Sequence, residues 1–197
     1  MYQIKGMRYL APLLAVTLTA AAPPALQTAT FAGGCFWTMQ HGLDEIPGVV
    51  KTVAGYTGGT LANPSYRDVS SETSGHVEAV RVTFDPAKIS YADLTRRYFR
   101  MIDPTDSGGQ ACDRGPSYRA TVFTASPAQR QAALAIEAEA ARQLGRKIVV
   151  PVRSTSAFWP AEGYHQHYAD KNRLAYRAYR IGCGRDRILA QLWGTGK

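Results

Sequence analysis

The spacing of apolar residues changes period several times along the chain. LQTATFAG, from Leu26, reads as a short strand running into Gly33 and Gly34, after which Phe36, Met39, Leu43 and Ile46 recur at helical spacing. HVEAVRVTF alternates strictly, with Val80, Val82 and Phe84 on one face, and the same parity carries Glu78 onto that face. Caps announce two helices. Ser90 with Asp93 makes a capping-box pattern ahead of YADLTRRYFRMI, and Ser126-Pro127 opens an alanine-rich run that stops at Gly145. Between them lie a long Gly/Asp/Pro loop, residues 103–117, and the strand YRATVFTA. After Gly145, KIVVPVR reads as a further strand, and the tail from Phe158 holds a Tyr- and Arg-rich helix ending near Ile181. Strands and helices mix without glycine-fingerprinted dinucleotide units and without an internal repeat. The expected fold is therefore α+β, a two-layer sandwich with an irregular C-terminal tail.

The first residues follow a different rule. Lys5 and Arg8 precede the apolar run YLAPLLAVTLTAAA, which ends in small residues, the order of a secretory signal peptide. The expected leader covers residues 1–22, with cleavage near Ala21 because Pro23 disfavours the bond after Ala22. An uncleaved anchor is the alternative, although the run is short and Pro-interrupted for a membrane span. Residues 23–197 then form one exported domain, periplasmic or secreted. A composition of 45% hydrophobic and 19% charged residues is that of a globular chain. The net charge of +8 falls to about +6 without Lys5 and Arg8. The basic residues are scattered singly, apart from Arg96, Arg97 and Arg100, and no zinc-finger or RNP-type pattern accompanies them, so nucleic acid is not an expected partner.

Three cysteines in an exported chain leave at least one thiol outside any internal pair, and none has CxxC spacing. Zinc would need more ligands than these and the His165/His167 pair supply, so no metal or cofactor is expected, and both histidines read as ordinary polar residues beside a loop. Cys35, in GGCFW, falls at a strand-to-helix turn, where the helix dipole and free amides favour thiolate over thiol. Glu78 has two readings. At the end of an apolar face it is a desolvated, protonated acid; at a frayed strand end it reaches water. GYTGGTLANPSY lacks a phosphate-loop signature and reads as an irregular loop of functional length.

GGCFW, GYTGG with NPSY, SGHVEAVRVTFDP, DRGPSYRA and FWPAEGYHQHY stand in the order found in the A-type methionine sulfoxide reductases, and the chain resembles that family from about Thr28 to Tyr168. The resemblance implies an α+β sandwich similar to a ferredoxin-like plait, and thiol-dependent reduction of the S-epimer of methionine sulfoxide, free or in proteins. It implies Cys35 as nucleophile, Phe36 and Trp37 as the methyl pocket, Glu78, Tyr66 and Tyr118 as donors to the sulfoxide oxygen, and Asp113 as a substrate-positioning residue. It implies a Cys35 sulfenic acid resolved by Cys183 in the tail, whose flanking Gly182 and Gly184 give it freedom to move. Cys112 is then a second-stage thiol, and a thioredoxin-like protein the reductant of a monomeric enzyme. The chain departs from the pattern at GCFWT, at DRGPSYRA and at Gly163 of AEGYHQ, positions that flank the chemistry.

Three other readings fit less well. A Cys-His-Asn hydrolase lacks its signature, and rings directly after the nucleophile crowd an acyl group. A basic binding module needs a contiguous patch. A lipoprotein reading of AGGC places Cys35 well beyond the apolar run.

Overall fold

The computed structural model describes residues 1–2 and 25–194. The expected leader and its cleavage point lie outside those residues. In chain order the elements are β1 (Gln27–Ala32), α1 (Phe36–Asp44), β2 (Val49–Thr57), α2 (Tyr66–Ser70), β3 (Val77–Phe84) and α3 (Tyr91–Arg100). They continue with β4 (Gly109–Gln110), β5 (Asp113–Arg114), a 3-10 turn (Pro116–Tyr118), β6 (Thr121–Thr124), α4 (Pro127–Leu144), β7 (Val152–Ser154) and β8 (Phe158–Pro160). Three short helices close the chain, α5 (Tyr168–Lys171), α6 (Arg173–Cys183) and α7 (Arg185–Trp193). The main sheet runs β7-β6-β1-β3-β2-β8, antiparallel throughout except for the parallel β6–β7 pair.

The alternation of β3 sets the layers. Val80, Val82 and Phe84 share a core with Phe31 of β1, with Phe36, Met39 and Leu43 of α1, and with Leu94 and Tyr98 of α3. On the other face, Val77 and Ala79 join Ala32, Phe123 and Phe158 in a smaller cluster, over which the Arg81 guanidinium lies 4.6 Å from the Phe158 ring centroid. The sandwich expected from the pattern is thus built on one central strand, β3, whose partners place Ala79 opposite Ala32 and Glu78 opposite Tyr56. The ends of β1 and β2 therefore converge on Glu78.

The caps form where expected, although at Ser90 the Asp93 carboxylate accepts from the Ser90 hydroxyl and not from its amide, so the box is half-made. Ser90 accepts the Asp93 amide at 3.0 Å, Ser126 accepts the Gln129 amide at 3.2 Å, and Gly145 ends α4 in the left-handed conformation at φ 60°. KIVVPVR departs from expectation. Only Val152–Ser154 is strand, because Pro151 has no amide to give and the Val149 amide is drawn instead to the Pro104 carbonyl at 2.8 Å. The loop of residues 103–117 is no passive connector either. It holds the β4–β5 hairpin, pinned by the Gln110 side chain, which accepts the Asp103 amide at 2.7 Å and donates to the Asp103 carbonyl at 2.8 Å. Among the described residues no helix is long and apolar enough to cross a membrane.

One buried hydroxyl fixes the end of β1. Tyr98, fully buried on α3, donates to the Ala32 carbonyl at 2.7 Å. Tyr98→Phe leaves that carbonyl unpaired in the core and is expected to cost about 1–3 kcal/mol. In urea the unfolding midpoint should drop while the slope stays unchanged; an unmoved midpoint would show the bond to be dispensable.

Candidate active site

Gly33 and Gly34 carry the chain from β1 into α1. Gly34 sits at φ +82°, and a side chain on it would meet Gln110 Cβ at 2.7 Å and Arg185 Nη1 at 2.9 Å, so only glycine fits the turn without strain. Cys35 follows as the residue capping α1. The first amide of that helix, Phe36 N–H, donates to Glu78 Oε2 at 2.9 Å rather than remaining free. This alters the expectation of a thiolate held by the helix start. Cys35 is 6% exposed, and burial pushes its thiol up, with the Glu78 and Asp113 carboxyls adding to the rise. The Tyr179 hydroxyl and the Trp37 amide pull it back only in part. In this arrangement Cys35 is a protonated thiol.

Glu78 resolves in favour of the buried reading. It is 3% exposed, and burial pushes its carboxyl up to about 8, against the pull of the Phe36 amide and with help from Asp113. It is therefore mostly protonated at neutral pH, a proton donor next to the thiol. Two tyrosines complete the donor set. Tyr66 opens α2 and Tyr118 ends the 3-10 turn, and the two hydroxyls are close enough to influence each other. Burial raises both, with the charge of Glu78 next. Asp113, in β5, accepts from the Tyr179 hydroxyl at 2.6 Å. Burial raises its carboxyl, while Tyr179, Arg185 and the Cys35 amide restrain the rise.

The rings expected to form the methyl pocket are in place. Phe36 packs at 5.8 Å from Tyr56 and 5.0 Å from His165, and Trp37 stacks on Tyr168 at 3.7 Å with the planes 10° apart. Trp37 Nε1 donates to His165 Nδ1 at 3.0 Å, which puts the imidazole proton on Nε2. Burial lowers the pKa of His165, with Glu162 opposing, so the ring is neutral. At 2% exposure His165 is not the loop-side polar residue it reads as in sequence. His167 is one, meeting Asp44 at the surface at 3.0 Å.

The structure brings Cys35, Phe36, Trp37, Glu78, Tyr66, Tyr118 and Asp113 together, and treats the remaining cysteines differently. Cys112 and Cys183 form a disulfide across 71 residues, and Cys35 is free. Cys183 is thus held by Cys112 and not by the nucleophile. Five further residues shape the site, of which the sequence drew attention only to His165, and that as an ordinary polar residue. Glu162 accepts from the Tyr66 amide at 2.8 Å and the Tyr56 hydroxyl at 2.9 Å. His165 and Tyr168 hold Trp37, and with Glu162 they recur every third residue in or beside FWPAEGYHQHY, a regularity the sequence displays. Tyr179 stands one helical turn before Cys183. Arg185 is 2% exposed and donates from Nη2 to the Gly33 carbonyl at 2.7 Å and the Met101 carbonyl at 2.8 Å. An arginine after a glycine reads as a solvated charge, and nothing local marks it as buried.

Among the described residues, two groups bring ligand-type atoms within 4.8 Å of one another. In Cys112–Asp113–Cys183 the sulfurs are bonded to each other. Asp44–His167–Asp170 is a surface group in which Asp44 also accepts from the Thr52 hydroxyl at 2.7 Å.

Comparison with known proteins agrees with this geometry. A family model described as peptide methionine sulfoxide reductase matches residues 27–197. The chain is similar to peptide methionine sulfoxide reductase MsrA 2 of Caulobacter vibrioides, 55% identical over 183 residues, which are 92% of this chain and 93% of that one. It is similar also to the MsrA of Bacillus subtilis, 46% identical over 86% of this chain and 97% of the relative. The solved structure of methionine sulfoxide reductase A of Corynebacterium diphtheriae superposes with a TM-score of 0.72 at 32% identity, over 81% of each chain. With a match across the whole sandwich and the tail, and a buried acid set against a helix-capping cysteine, the chain belongs to the peptide methionine sulfoxide reductase family.

Proposed function

We propose that this protein reduces the S-epimer of methionine sulfoxide, free or in oxidised proteins, to methionine. The observation that carries the reading is the buried, protonated Glu78 held on the Phe36 amide beside Cys35, because a sulfoxide is reduced only if its oxygen gains a proton as its sulfur gains a thiol. Cys35, deprotonated as it attacks, bonds to the sulfoxide sulfur. Glu78 gives its proton to the oxygen, and the Tyr66 and Tyr118 hydroxyls stabilise it by hydrogen bonding. The S-methyl group lies against Phe36 and Trp37. The hydroxyl then passes from the methionine sulfur to the Cys35 sulfur: the methionine S–O bond and the new S–S bond break, an O–S bond to Cys35 forms, and methionine departs with the electron pair of the S–S bond, leaving Cys35 as sulfenic acid.

Resolution follows from the three thiols. The Cys183 thiol attacks the sulfenic sulfur and water leaves, forming a Cys35–Cys183 disulfide. Cys112, as thiolate, then attacks Cys183 and releases Cys35, leaving the Cys112–Cys183 bond present in this structure. Cys112 is exposed while Cys183 is half-buried, so a thioredoxin-like dithiol meets Cys112 first. The protein acts as a monomer, exported by way of its leader into an oxidising compartment where an external reductant is required.

The reaction is tested by incubating the protein with each epimer and dithiothreitol and measuring methionine. Methionine should form from the S-epimer alone, and Cys35→Ser should abolish it. Glu78→Ala should slow turnover about a hundredfold, and Glu78→Gln, still a donor, less. The wild-type rate should fall as pH rises through about 8, where Glu78 loses its proton. In the Gln variant that alkaline limb should vanish; its persistence would assign the limb to another group.

Peptide mapping after one equivalent of substrate without reductant checks the relay. The wild type should end with Cys112 linked to Cys183 and Cys35 free, and Cys112→Ser should stop at Cys35 linked to Cys183. Normal thioredoxin-driven cycling by Cys183→Ser would overturn the order. For export, the protein recovered outside the cytoplasm should begin near residue 22; an intact leader on a cytosolic protein would refute it.

A further inference from the structure

Tyr179 belongs to the helix that carries Cys183, yet it lies over Cys35. Its hydroxyl donates to Asp113 Oδ2 at 2.6 Å, its ring meets Trp37 edge-on at 6.1 Å and 81°, and it faces the Cys35 thiol. Beneath it Cys35 is 6% exposed and Glu78 3%. A sulfoxide sulfur has to come within bonding distance of Sγ, and the thiol that Tyr179 faces is nearly closed to solvent.

The tail is held down on both sides of this contact. The disulfide ties Cys183 to the β4–β5 hairpin, whose Asp113 is the acceptor for Tyr179. Two residues beyond Cys183, Arg185 grips the carbonyls of Gly33 and Met101, and Trp193 donates to the Ile102 carbonyl at 3.0 Å. Of these anchors only the disulfide is made and broken by the reaction. The outer face of α6 is open, with Leu174 85% and Ile181 69% exposed, and its inner face is seated through two rings, the buried Tyr176 edge-on to His41 at 5.3 Å and Tyr179 against Trp37, so these few contacts are what hold the helix once the bond is cut.

We propose that Tyr179 is a further active-site residue that acts as a redox interlock: while Cys112 and Cys183 are joined it covers Cys35 and shuts out substrate, and reduction of that disulfide releases α6 and uncovers the thiol. The inference rests on the function proposed above. Its chemical sense lies in the thiol count. With Cys112 and Cys183 already joined, a second attack by Cys35 on sulfoxide would produce a sulfenic acid with no internal thiol to condense with, open to further oxidation to the irreversible sulfinic acid. A cover present only in that state prevents the attack. Burial keeps Cys35 protonated and hence unreactive, against the downward pull of the Tyr179 hydroxyl itself.

The test is alkylation of Cys35 by iodoacetamide at pH 8, followed by peptide mass, in full-length protein whose Cys112–Cys183 bond is intact or reduced. The oxidised form should react at least roughly tenfold more slowly than the reduced form. Tyr179→Ala should bring the oxidised form close to the reduced rate. Tyr179→Phe, which keeps the ring and loses the bond to Asp113, should fall between. In a second arm, oxidised wild type given methionine sulfoxide without reductant should yield no methionine, whereas oxidised Tyr179→Ala should yield up to one equivalent and a Cys35 sulfenic acid trapped by dimedone. Equal alkylation of the oxidised and reduced wild type, or an oxidised Tyr179→Ala as protected as wild type, would overturn the proposal. Absence of methionine from every form even with dithiothreitol would instead defeat the proposed reaction, and the alkylation arm would still decide the interlock.

Discussion

The hydrogen bond from the Phe36 amide to Glu78 joins the two parts of the molecule that chemistry requires to touch. One end is the first turn of α1, the other the start of β3 in the middle of the sheet. A carboxyl at a helix start is normally favoured as an anion, because the dipole and the free amides stabilise negative charge. Here burial outweighs that effect and raises Glu78 to about 8. One oxygen accepts the amide, and the other is free to carry the proton. The same contact positions the acid and takes up the first helix amide, while burial, with the nearby carboxyls, leaves Cys35 a thiol.

Around this pair the support is aromatic and polar in alternation. Glu162 binds the Tyr56 hydroxyl and the Tyr66 amide at once, tying β2 and α2 to the segment after β8. His165 accepts from Trp37 and packs on Phe36 and Tyr66. These bonds leave the rings of Phe36 and Trp37 few alternative orientations, as the proposed role of a methyl pocket requires. The His165 Nε2 proton is the exception, buried without a partner. Gly163, where the family pattern has an acidic residue, has no atom within 4 Å of where a side chain would stand, so nothing around it requires glycine.

The C-terminal segment is part of this assembly. Its helices bring Tyr179 to Asp113, Cys183 to Cys112 and Arg185 to the turn before Cys35. The buried Arg185 charge is satisfied largely by backbone carbonyls, with Nη1 unpaired beside Gly34. Burying it costs solvation that the fold recovers only while the tail is seated. That gives the turn before Cys35 and the Cys112–Cys183 disulfide a common anchor.

Local pattern carried much of this. The alternation of β3 placed Glu78 on the core face, the Gly33-Gly34 turn placed Cys35 at the head of a helix, and the caps at Ser90, Ser126 and Gly145 marked α3 and α4, because each depends on neighbours within a few residues. The ordered motifs pointed to Cys35, Glu78, Tyr66 and Tyr118. What the pattern left open was decided by contacts between distant segments: the burial of Glu78 rather than its fraying, the protonated state of Cys35, the neutral buried His165, the shortening of KIVVPVR, the seating of Tyr179, and the pairing of Cys112 with Cys183. Arg185 meets Gly33 across 152 residues of chain and Cys112 meets Cys183 across 71. Such contacts impose no period on the residues beside them, and the pKa of a buried group follows from what encloses it in space, which only the packed tertiary structure supplies.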